Sequence, residues 1–300
     1  MSLRQLETLV AIADAGSFHA AADRLGVTQS AVSMQMKALE DDLQTSLFDR
    51  SRRPPGLRET ADPLVTQARQ ILRQYEDFRH SARAVGTVAG ILRIGVIPTA
   101  STGILPDALA ILRERTPRLQ VRIENELSTE LIRRVERGML DAAILTEPPR
   151  LNTGLKSRAI LEERLLVVAP GDSPGGRDID LLTLLPFVRF NRRAGVGRAI
   201  DSALRERGIK VQERMELDSI ESILMMVSRG LGVAIAPERS ISSNQRALLK
   251  CVPFGDPPVC RRVALVERAN GDRSTLSDAL HDALIEVAGG YANKGVSALE

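Results

Sequence analysis

Apolar residues near the N-terminus recur every three to four positions, in three short stretches that predict three helices. Gly16 and Gly26 follow the first two stretches and are suited to end them, and Thr28 stands where it can cap the third helix. The small Ala22, the turn-forming Gly26 and the branched Val32 have the spacing that a helix-turn-helix needs. The pattern therefore predicts such a motif.

The third predicted helix has an apolar face and a polar face. Val32, Met36 and Leu39 form the inward stripe. The opposite face carries short or flexible polar side chains that can reach base edges or phosphates in a DNA major groove. An ordinary solvated face is the alternative interpretation. The residues of this helix predicted to bind DNA are Thr28, Gln29, Ser30, Ser33 and Lys37. Of these, Gln29, Ser30 and Ser33 are expected to touch bases, and Lys37 a phosphate.

A short hairpin with a basic tip is predicted after the third helix. Leu47 and Leu57 flank a Pro-Pro-Gly turn, and Arg50, Arg52 and Arg53 lie in this segment. A wing of this kind is suited to the phosphate backbone or the minor groove, so all three arginines are predicted to bind DNA. The net charge of +3 for the whole chain adds little, because what matters is where the basic residues lie.

A longer helix is predicted from Pro63, with Asp62 as its cap. Its apolar and small residues are spaced alternately four and three apart, which is the heptad pattern of helices that pair with each other. A helix packed on its own domain is the alternative. A dimer would supply the two reading heads that a two-fold operator requires. The predicted pairing residues are Leu64, Ala68, Ile71, Tyr75, Phe78, Ala82 and Val85.

Beyond residue 90, apolar strands alternate with amphipathic helices. Strands are predicted at 91–96, 119–126 and 141–145, and the same rhythm continues further along the chain. This order is typical of the α/β class and predicts a parallel sheet with right-handed crossovers. A last helix, about 276–288, has no strand partner left and is expected to pack back on the first part of this region.

Open α/β sheets bind ligands beyond the carboxyl ends of their strands. At those ends, hydroxyl side chains lead into helix N-termini that favour an anion, and Arg192 could neutralise a carboxylate. Arg193 or Arg198 could replace Arg192, and the hydroxyls could instead serve only as helix caps. The residues predicted to bind a small anionic effector, such as a carboxylate, are Thr99, Ser101, Thr102, Ser128, Thr146, Asn191 and Arg192.

Composition narrows the classes of function. Hydrophobic residues make up 43% of the chain and charged residues 26%, which is typical of folded domains. No apolar run is long enough to span a membrane, and the N-terminal residues do not resemble a signal peptide, so a cytoplasmic protein is expected. The three histidines are scattered, and no phosphate-binding loop, serine elbow or zinc-protease motif occurs. We therefore expect no metal, no cofactor and no enzymatic activity.

Two cysteines, Cys251 and Cys260, are separated by eight residues and are expected on two strands of a hairpin. They are interpreted as structural thiols, with a redox switch as the alternative. Two other classes of protein also have an α/β architecture of the kind expected beyond residue 90. They are the solute-binding proteins of transport systems and enzymes of the porphobilinogen-deaminase type. The N-terminal 88 residues argue against the first, and the absence of a visible nucleophile or cofactor constellation argues against the second.

A specific set of segments runs through the N-terminal region: Leu6, Gly16-Ser17-Phe18, Ala21-Ala22, Leu25, Thr28-Gln29-Ser30-Ala31-Val32-Ser33, Ala38-Leu39-Glu40 and Leu47-Phe48-Asp49-Arg50. In these segments the chain resembles the LysR-type transcriptional regulators, and the resemblance continues over nearly its whole length. Two features depart from the family pattern. Met34 stands where a basic residue is frequent, and Arg58, Thr60 and Ala61 replace the usual threonine, alanine and glycine.

The resemblance implies a regulator that binds double-stranded DNA under the control of a small-molecule effector. It also implies a dimer of dimers and makes RNA polymerase a further candidate partner. The expected organisation is a winged helix-turn-helix at 1–60, a linker helix at 61–88 and a two-lobed sensor similar to periplasmic binding proteins. Lobe I is expected to comprise 91–163 and 267–300, and lobe II 164–266.

Overall fold

The computed structural model describes residues 1–49, 51, 55–81, 89–270 and 274–296. The chain divides into two compact units, of which the first comprises Met1–Gly90 and Arg137–Met139 and the second Ile91–Glu136 and Leu140–Glu300. The first unit therefore contains both the predicted helix-turn-helix and the predicted linker helix.

The first unit contains the three helices and the short hairpin that its pattern predicts. Its elements are α1 (Leu3–Ala15), α2 (Phe18–Leu25), α3 (Gln29–Leu43), β1 (Phe48–Asp49), β2 (Gly56–Leu57), a 3-10 turn (Glu59–Ala61) and α4 (Asp62–Ser81). Ser17 and Thr28 cap α2 and α3, each accepting a hydrogen bond from the backbone N–H three residues on. Gly16 and Gly26 end α1 and α2 in the left-handed conformation, with φ of 74° and 66°.

One apolar core joins these elements, and two polar contacts fix their arrangement. The hydroxyl of Thr8 donates to Gln35 Oε1 at 2.5 Å, which links α1 to α3. The carboxylate of Glu40 accepts the backbone N–H groups of Leu47, at 2.7 Å, and Phe48, at 3.1 Å. The hairpin is thereby held at the end of α3.

The first half of α4 packs on the same core. Ala68 is buried there, and Arg69 forms an ion pair with Asp14 of α1. Asp62 is the first residue of α4 and does not cap it, because the 3-10 turn over Glu59–Ala61 leads directly into the helix. The predicted linker helix therefore begins as part of the N-terminal unit.

The second unit contains two α/β lobes, each around its own apolar core. Its elements are β3 (Ala89–Val96), α5 (Pro98–Ser101), α6 (Leu105–Arg115), β4 (Arg118–Asn125), α7 (Ser128–Glu136), β5 (Ala142–Thr146), β6 (Leu155–Pro170), α8 (Asp178–Leu184), β7 (Pro186–Phe190), α9 (Gly195–Glu206), β8 (Gln212–Leu217), α10 (Ile220–Ser228), β9 (Ala234–Pro237), α11 (Ser243–Arg246), β10 (Leu249–Pro253), β11 (Cys260–Arg268) and α12 (Ser274–Val296). Helix α12 packs back on lobe I through Leu276, Leu280 and Leu284, as predicted.

A single 16-residue strand, β6, belongs to both lobes. Its first part pairs antiparallel with β11, and its last part pairs antiparallel with β9 and β10. Strands β3 and β5 are parallel, as are β7 and β8. These pairs have the predicted parallel arrangement, whereas the long crossing strands β6 and β11 run antiparallel to their neighbours.

The two crossings define the extent of the lobes. The first lies near Arg164, where the partner of β6 changes from β11 to β9, close to the predicted boundary. The second lies earlier than expected. Val263, Leu265 and Val266 pair with β5 or β6 and pack in the core of lobe I, so lobe II ends near Cys260 and does not extend to residue 266.

Candidate functional site

Helix α3 presents its polar face to solvent. Gln29, Ser30, Ser33 and Lys37 are all exposed. The hydroxyl of Thr28 is engaged as the helix cap and lies 3.0 Å from that of Ser30. Among the described residues, no group hydrogen bonds with the side chains of Gln29, Ser33 or Lys37. These three are therefore the members of the predicted set with fully available hydrogen-bonding groups.

An exposed methionine borders this face. Met34 is 68% exposed and stands one turn from both Ser30 and Lys37. It is one of the departures from the family pattern and is not among the predicted DNA-binding residues. The sequence spacing places Met34 on the exposed side of the helix, because it lies outside the apolar pattern of Val32 and Met36, both of which are fully buried.

The hairpin beyond α3 pairs Phe48 with Leu57 and Asp49 with Gly56. The basic residues assigned to its tip, Arg50, Arg52 and Arg53, lie outside the described residues. Their predicted contact with DNA stays a prediction.

One side of α4 carries exposed apolar side chains. Ile71, Tyr75 and Phe78 are exposed, Phe78 by 71%, and Leu64 is half-buried in line with them. We call these four residues the pairing stripe. Ala68, which the heptad pattern includes, is only 2% exposed and belongs to the core of its own unit, so it is removed from the predicted pairing surface. The last two predicted members, Ala82 and Val85, lie outside the described residues.

A narrow interlobe cleft lies in the second unit. Helix α7 of lobe I begins at Ser128 and α9 of lobe II begins at Gly195, and both residues line the cleft. The lining residues are Ile97, Pro98, Thr99, Leu127, Ser128, Thr146, Phe190, Ala194, Gly195, Val196 and Asp218. The cavity has a volume of about 20 Å³, which is room for about one water molecule.

The lobes approach each other closely at Gly195. A Cβ atom there would lie 2.9 Å from Thr146 Cβ and 3.1 Å from Ser128 Oγ, so glycine permits this closeness. Ser128 is 2% exposed, and its hydroxyl has no hydrogen-bond partner among the described residues. A buried hydroxyl without a partner is costly, and an atom of a bound ligand could satisfy it.

Four of the predicted effector-binding residues do not line the cleft. Ser101 and Thr102 turn their hydroxyls back to the carbonyl of Pro98, at 2.9 and 3.4 Å. Asn191 Oδ1 accepts the backbone N–H of Arg193 at 2.8 Å. These three side chains therefore serve local turns and helix ends.

Arg192 is the fourth, and acidic side chains surround it. Its side chain is half exposed and pairs with Glu213 at 2.6 Å, with Glu216 at 3.4 Å and with Asp201 at 3.5 Å. The expectation that Arg192 neutralises a carboxylate effector is therefore corrected. Its guanidinium is already paired with carboxylates outside the cleft, so it cannot neutralise a ligand within the cleft. Thr99, Ser128 and Thr146 are the predicted residues that the fold brings together.

A buried guanidinium that the sequence analysis missed lies behind these hydroxyls. Arg261 on β11 is 3% exposed and donates two hydrogen bonds to Glu163 Oε2 on β6, at 2.6 and 2.8 Å. It also donates to the hydroxyls of Thr99, at 2.8 Å, and Thr146, at 3.4 Å. Glu163 Oε1 accepts the backbone N–H of Arg239 from lobe II at 2.9 Å. No distinct sequence signal marks this pair, because β6 and β11 each contain several charged residues and most of them are not buried.

The thiols of Cys251 and Cys260 lie opposite Val168 and Arg164 of β6, on β10 and β11 respectively. The two partner residues are four positions apart on β6, so the cysteines are separated by about 13 Å along that strand. A disulfide needs Cα atoms within about 7 Å. Burial raises the pKa of both thiols, which disfavours the reactive thiolate. The geometry favours structural cysteines.

Within the part of the chain that the structure describes, no group of three or more histidine, cysteine or acidic side chains is arranged to hold a metal ion. No described helix is long and apolar enough to cross a membrane.

Comparison with known proteins gives matches along the whole chain. Residues 3–62 match the bacterial regulatory helix-turn-helix protein model of the lysR family, and residues 86–289 match the LysR substrate binding domain. The transcriptional regulator CzcR of Bacillus cereus is 29% identical over 82% of this chain and 84% of its own length. A hydrogen peroxide-inducible genes activator of Haemophilus influenzae is 28% identical over 89% of this chain and 91% of its own. The solved structure of a full-length OxyR variant from Pseudomonas aeruginosa has a TM-score of 0.71 and 26% identity, over 95% of this chain and 94% of that one.

Replacing Arg261 with methionine should lower the free energy of unfolding by about 3–5 kcal/mol, because Glu163 would be left as a buried carboxylate without its partner. The measurement is urea denaturation of the full chain followed by circular dichroism. The control, Arg177→Met, removes an exposed ion pair with Asp180 and should change the free energy of unfolding far less. Equal losses in the two variants would show that the buried pair does not stabilise the crossing.

Proposed function

Because this chain belongs to the LysR family of DNA-binding transcriptional regulators, we propose that α3 reads an operator, that α4 pairs two chains and that the interlobe cleft binds a small anion. The chain is a regulator with an effector-binding domain and is not an enzyme. The observation that carries the proposal is that the two matched regions contain, respectively, the free polar face of α3 and a cleft with a buried, unpartnered hydroxyl at Ser128.

In the DNA-binding role, the side chains of α3 divide by chemistry. The amide of Gln29 can donate and accept at the same time, as bidentate contact with adenine requires, and Ser33 can do either with one group. The ammonium of Lys37 is a point charge suited to a phosphate. The basic hairpin tip would add further phosphate contacts, through Arg50, Arg52 and Arg53.

Two chains joined through α4 would present two copies of α3 to DNA. The pairing stripe supports this, since side chains as large as Tyr75 and Phe78 are costly to leave in water and pair well in a heptad seam. A dimer of dimers, which the family resemblance implies, would need a second contact surface elsewhere on the chain.

The chemistry of the interlobe cleft supports an anionic effector. Thr99 and Thr146 accept hydrogen bonds from Arg261, so their own O–H groups are left to donate to a ligand. Ser128 has a third free hydroxyl, and the N-terminus of α9 adds backbone N–H groups and a favourable dipole. A ligand facing this set needs acceptors, which a carboxylate has. Asp218 lines the same cleft and favours a carboxylate that also carries a hydroxyl or amino group.

The cleft is too small for such a molecule in this conformation. A volume of about 20 Å³ implies that the lobes separate to admit an effector of several atoms. The effector would then shift the balance between separated and close lobes only by its different affinity for the two states. In this proposal, a change in the arrangement of the lobes alters how the chain binds DNA.

Replacing Gln29 with alanine should relax the preference for one base pair in each operator half-site by about 1–3 kcal/mol, because a base-edge contact is lost. Affinity for random DNA should stay unchanged. Competition binding against a duplex selected from a random pool measures both values. As a control, Lys37→Gln should weaken specific and random DNA alike and reduce the salt dependence. Equal losses on both DNAs for Gln29→Ala would exclude a reading role for Gln29.

Replacing Ile71 and Phe78 together with glutamate should break the association through α4, because two buried charges would face their own copies across the seam. Sedimentation velocity should then show an assembly with fewer chains than that of the wild type. Thr66→Glu with Gln70→Glu places the same charge on another side of α4 and should leave the assembly intact. Unchanged assembly of the first double variant would refute the pairing stripe.

Small carboxylates should raise the thermal unfolding temperature of the sensor, by an amount that corresponds to about 2.7 kcal/mol at a hundredfold excess over Kd. A thermal-shift panel of carboxylic, hydroxy and amino acids is the test. Ser128→Ala with Thr146→Val should abolish the shift, because two donors in the cleft are lost. Arg192→Gln, outside the cleft, should retain it. Hits confined to cations or neutral apolar compounds would contradict an anionic effector.

A further inference from the structure

Met34 is the one large apolar side chain of α3 that faces water. The other large apolar residues near the middle of this helix, Val32, Met36 and Leu39, are completely buried. Counting 100° per residue, Met34 lies nearly opposite the centre of that buried stripe. It therefore lies on the exposed side of α3, at the edge of the polar face on which the predicted DNA-binding residues lie and next to Ser30 and Lys37.

Neither helix formation nor the core explains this methionine. An exposed position in the middle of a helix is filled equally well by glutamine or lysine, which have similar helix propensities and no cost of exposure. Met34 borders an open groove with Met1 and Gln5 at the start of α1, but it keeps 68% of its surface exposed there. The contact with α1 is instead made by Gln35, through Thr8.

The neighbours of Met34 limit what it can contact on DNA. Ser30 precedes it by one turn and Lys37 follows it by one turn, so a helix seated in the groove with these residues on DNA places Met34 between them. Its thioether is at most a weak acceptor and has no donor, so it cannot read the hydrogen-bonding pattern of a base. The apolar group that a base exposes in the major groove is the 5-methyl of thymine.

We propose that Met34 is a specificity-determining residue that packs against a thymine 5-methyl group in each operator half-site. The inference depends on the proposed role of α3 as the reading helix. In this arrangement the exposed methionine is covered on DNA binding, and flexible methionine adapts well to the shape of a methyl group and the adjacent groove wall. The contact adds a preference for thymine without adding charge.

The test is a methyl-deletion scan with the full chain. A preferred duplex is first selected from a random-sequence pool, and each thymine of a half-site is then replaced in turn by uracil, which lacks only the methyl group. For the wild-type chain, one replacement per half-site should weaken binding about fourfold, the change that corresponds to about 0.8 kcal/mol for one buried methyl-sized group. With Met34→Ala, the same replacement should have no effect on Kd.

Three further variants sharpen the result. Met34→Leu keeps an apolar side chain and should retain the sensitivity to uracil, whereas Met34→Gln should lose it. Met225→Ala removes another exposed methionine, on the sensor helix α10, and should leave the uracil profile unchanged. The affinity of Met34→Ala for random DNA, and its salt dependence, should equal those of the wild type, because no charge is altered.

The outcomes separate this inference from the proposed function. If Gln29→Ala relaxes base preference but the uracil profiles of wild type and Met34→Ala coincide, α3 is the reading helix and the inference for Met34 is overturned. If Gln29→Ala has no effect on base preference either, the proposed reading role of α3 fails. If Met34→Ala lowers the unfolding midpoint as much as the core variant Leu39→Ala, the methionine serves the fold, which also overturns the inference.

Discussion

Moving a guanidinium from water into a protein interior costs several kcal/mol unless a carboxylate and further acceptors surround it. Arg261 is buried where the crossing strands β6 and β11 lie side by side, and it meets this condition with four hydrogen bonds to Glu163, Thr99 and Thr146. Removing any one of these groups leaves buried polar atoms without partners. The positions of β6, β11 and two walls of the cleft are therefore fixed relative to one another.

The same network extends to both lobes. Thr99 and Thr146 belong to lobe I, while Glu163 also accepts the backbone N–H of Arg239 in lobe II. A change in the angle between the lobes must either preserve these bonds as a pivot or break some of them. In the proposed mechanism, an effector that accepts hydrogen bonds from the hydroxyls of Thr99 and Thr146 would be joined to this network directly. The network is thus both a support for the cleft and its connection to the crossing strands.

In the N-terminal unit, α1 is the common support. It holds α3 through Thr8 and Gln35, and it holds the first half of α4 through the core around Ala68 and the ion pair between Arg69 and Asp14. The reading face of α3 therefore has a fixed direction relative to the axis of α4. In a dimer paired through α4, that rigidity would set the spacing and orientation of the two reading helices, which is what a two-fold operator demands.

Local sequence features were enough to predict α1 to α3, the long helix α4 and the alternation of strands and helices in the sensor. These features are the spacing of apolar residues, the helix caps and the glycines, and they depend on neighbours close in sequence. The exposed face of α3 followed from the same period, since Val32, Met36 and Leu39 determine which side is buried. These local signals, together with the resemblance they carry, determined the family.

Only the tertiary structure decided which polar residues meet in the cleft. Thr99, Ser128 and Thr146 line one cleft, because the ends of neighbouring strands share one edge of a sheet. Arg192 was wrongly included, since nothing local shows that Glu213 and Glu216 lie beside it. Arg261 and Glu163 were missed, and Ala68 was placed on the wrong surface, for the same reason. Partners almost a hundred residues apart, or on another helix, are set by how the elements pack, which periodicity along one element does not encode.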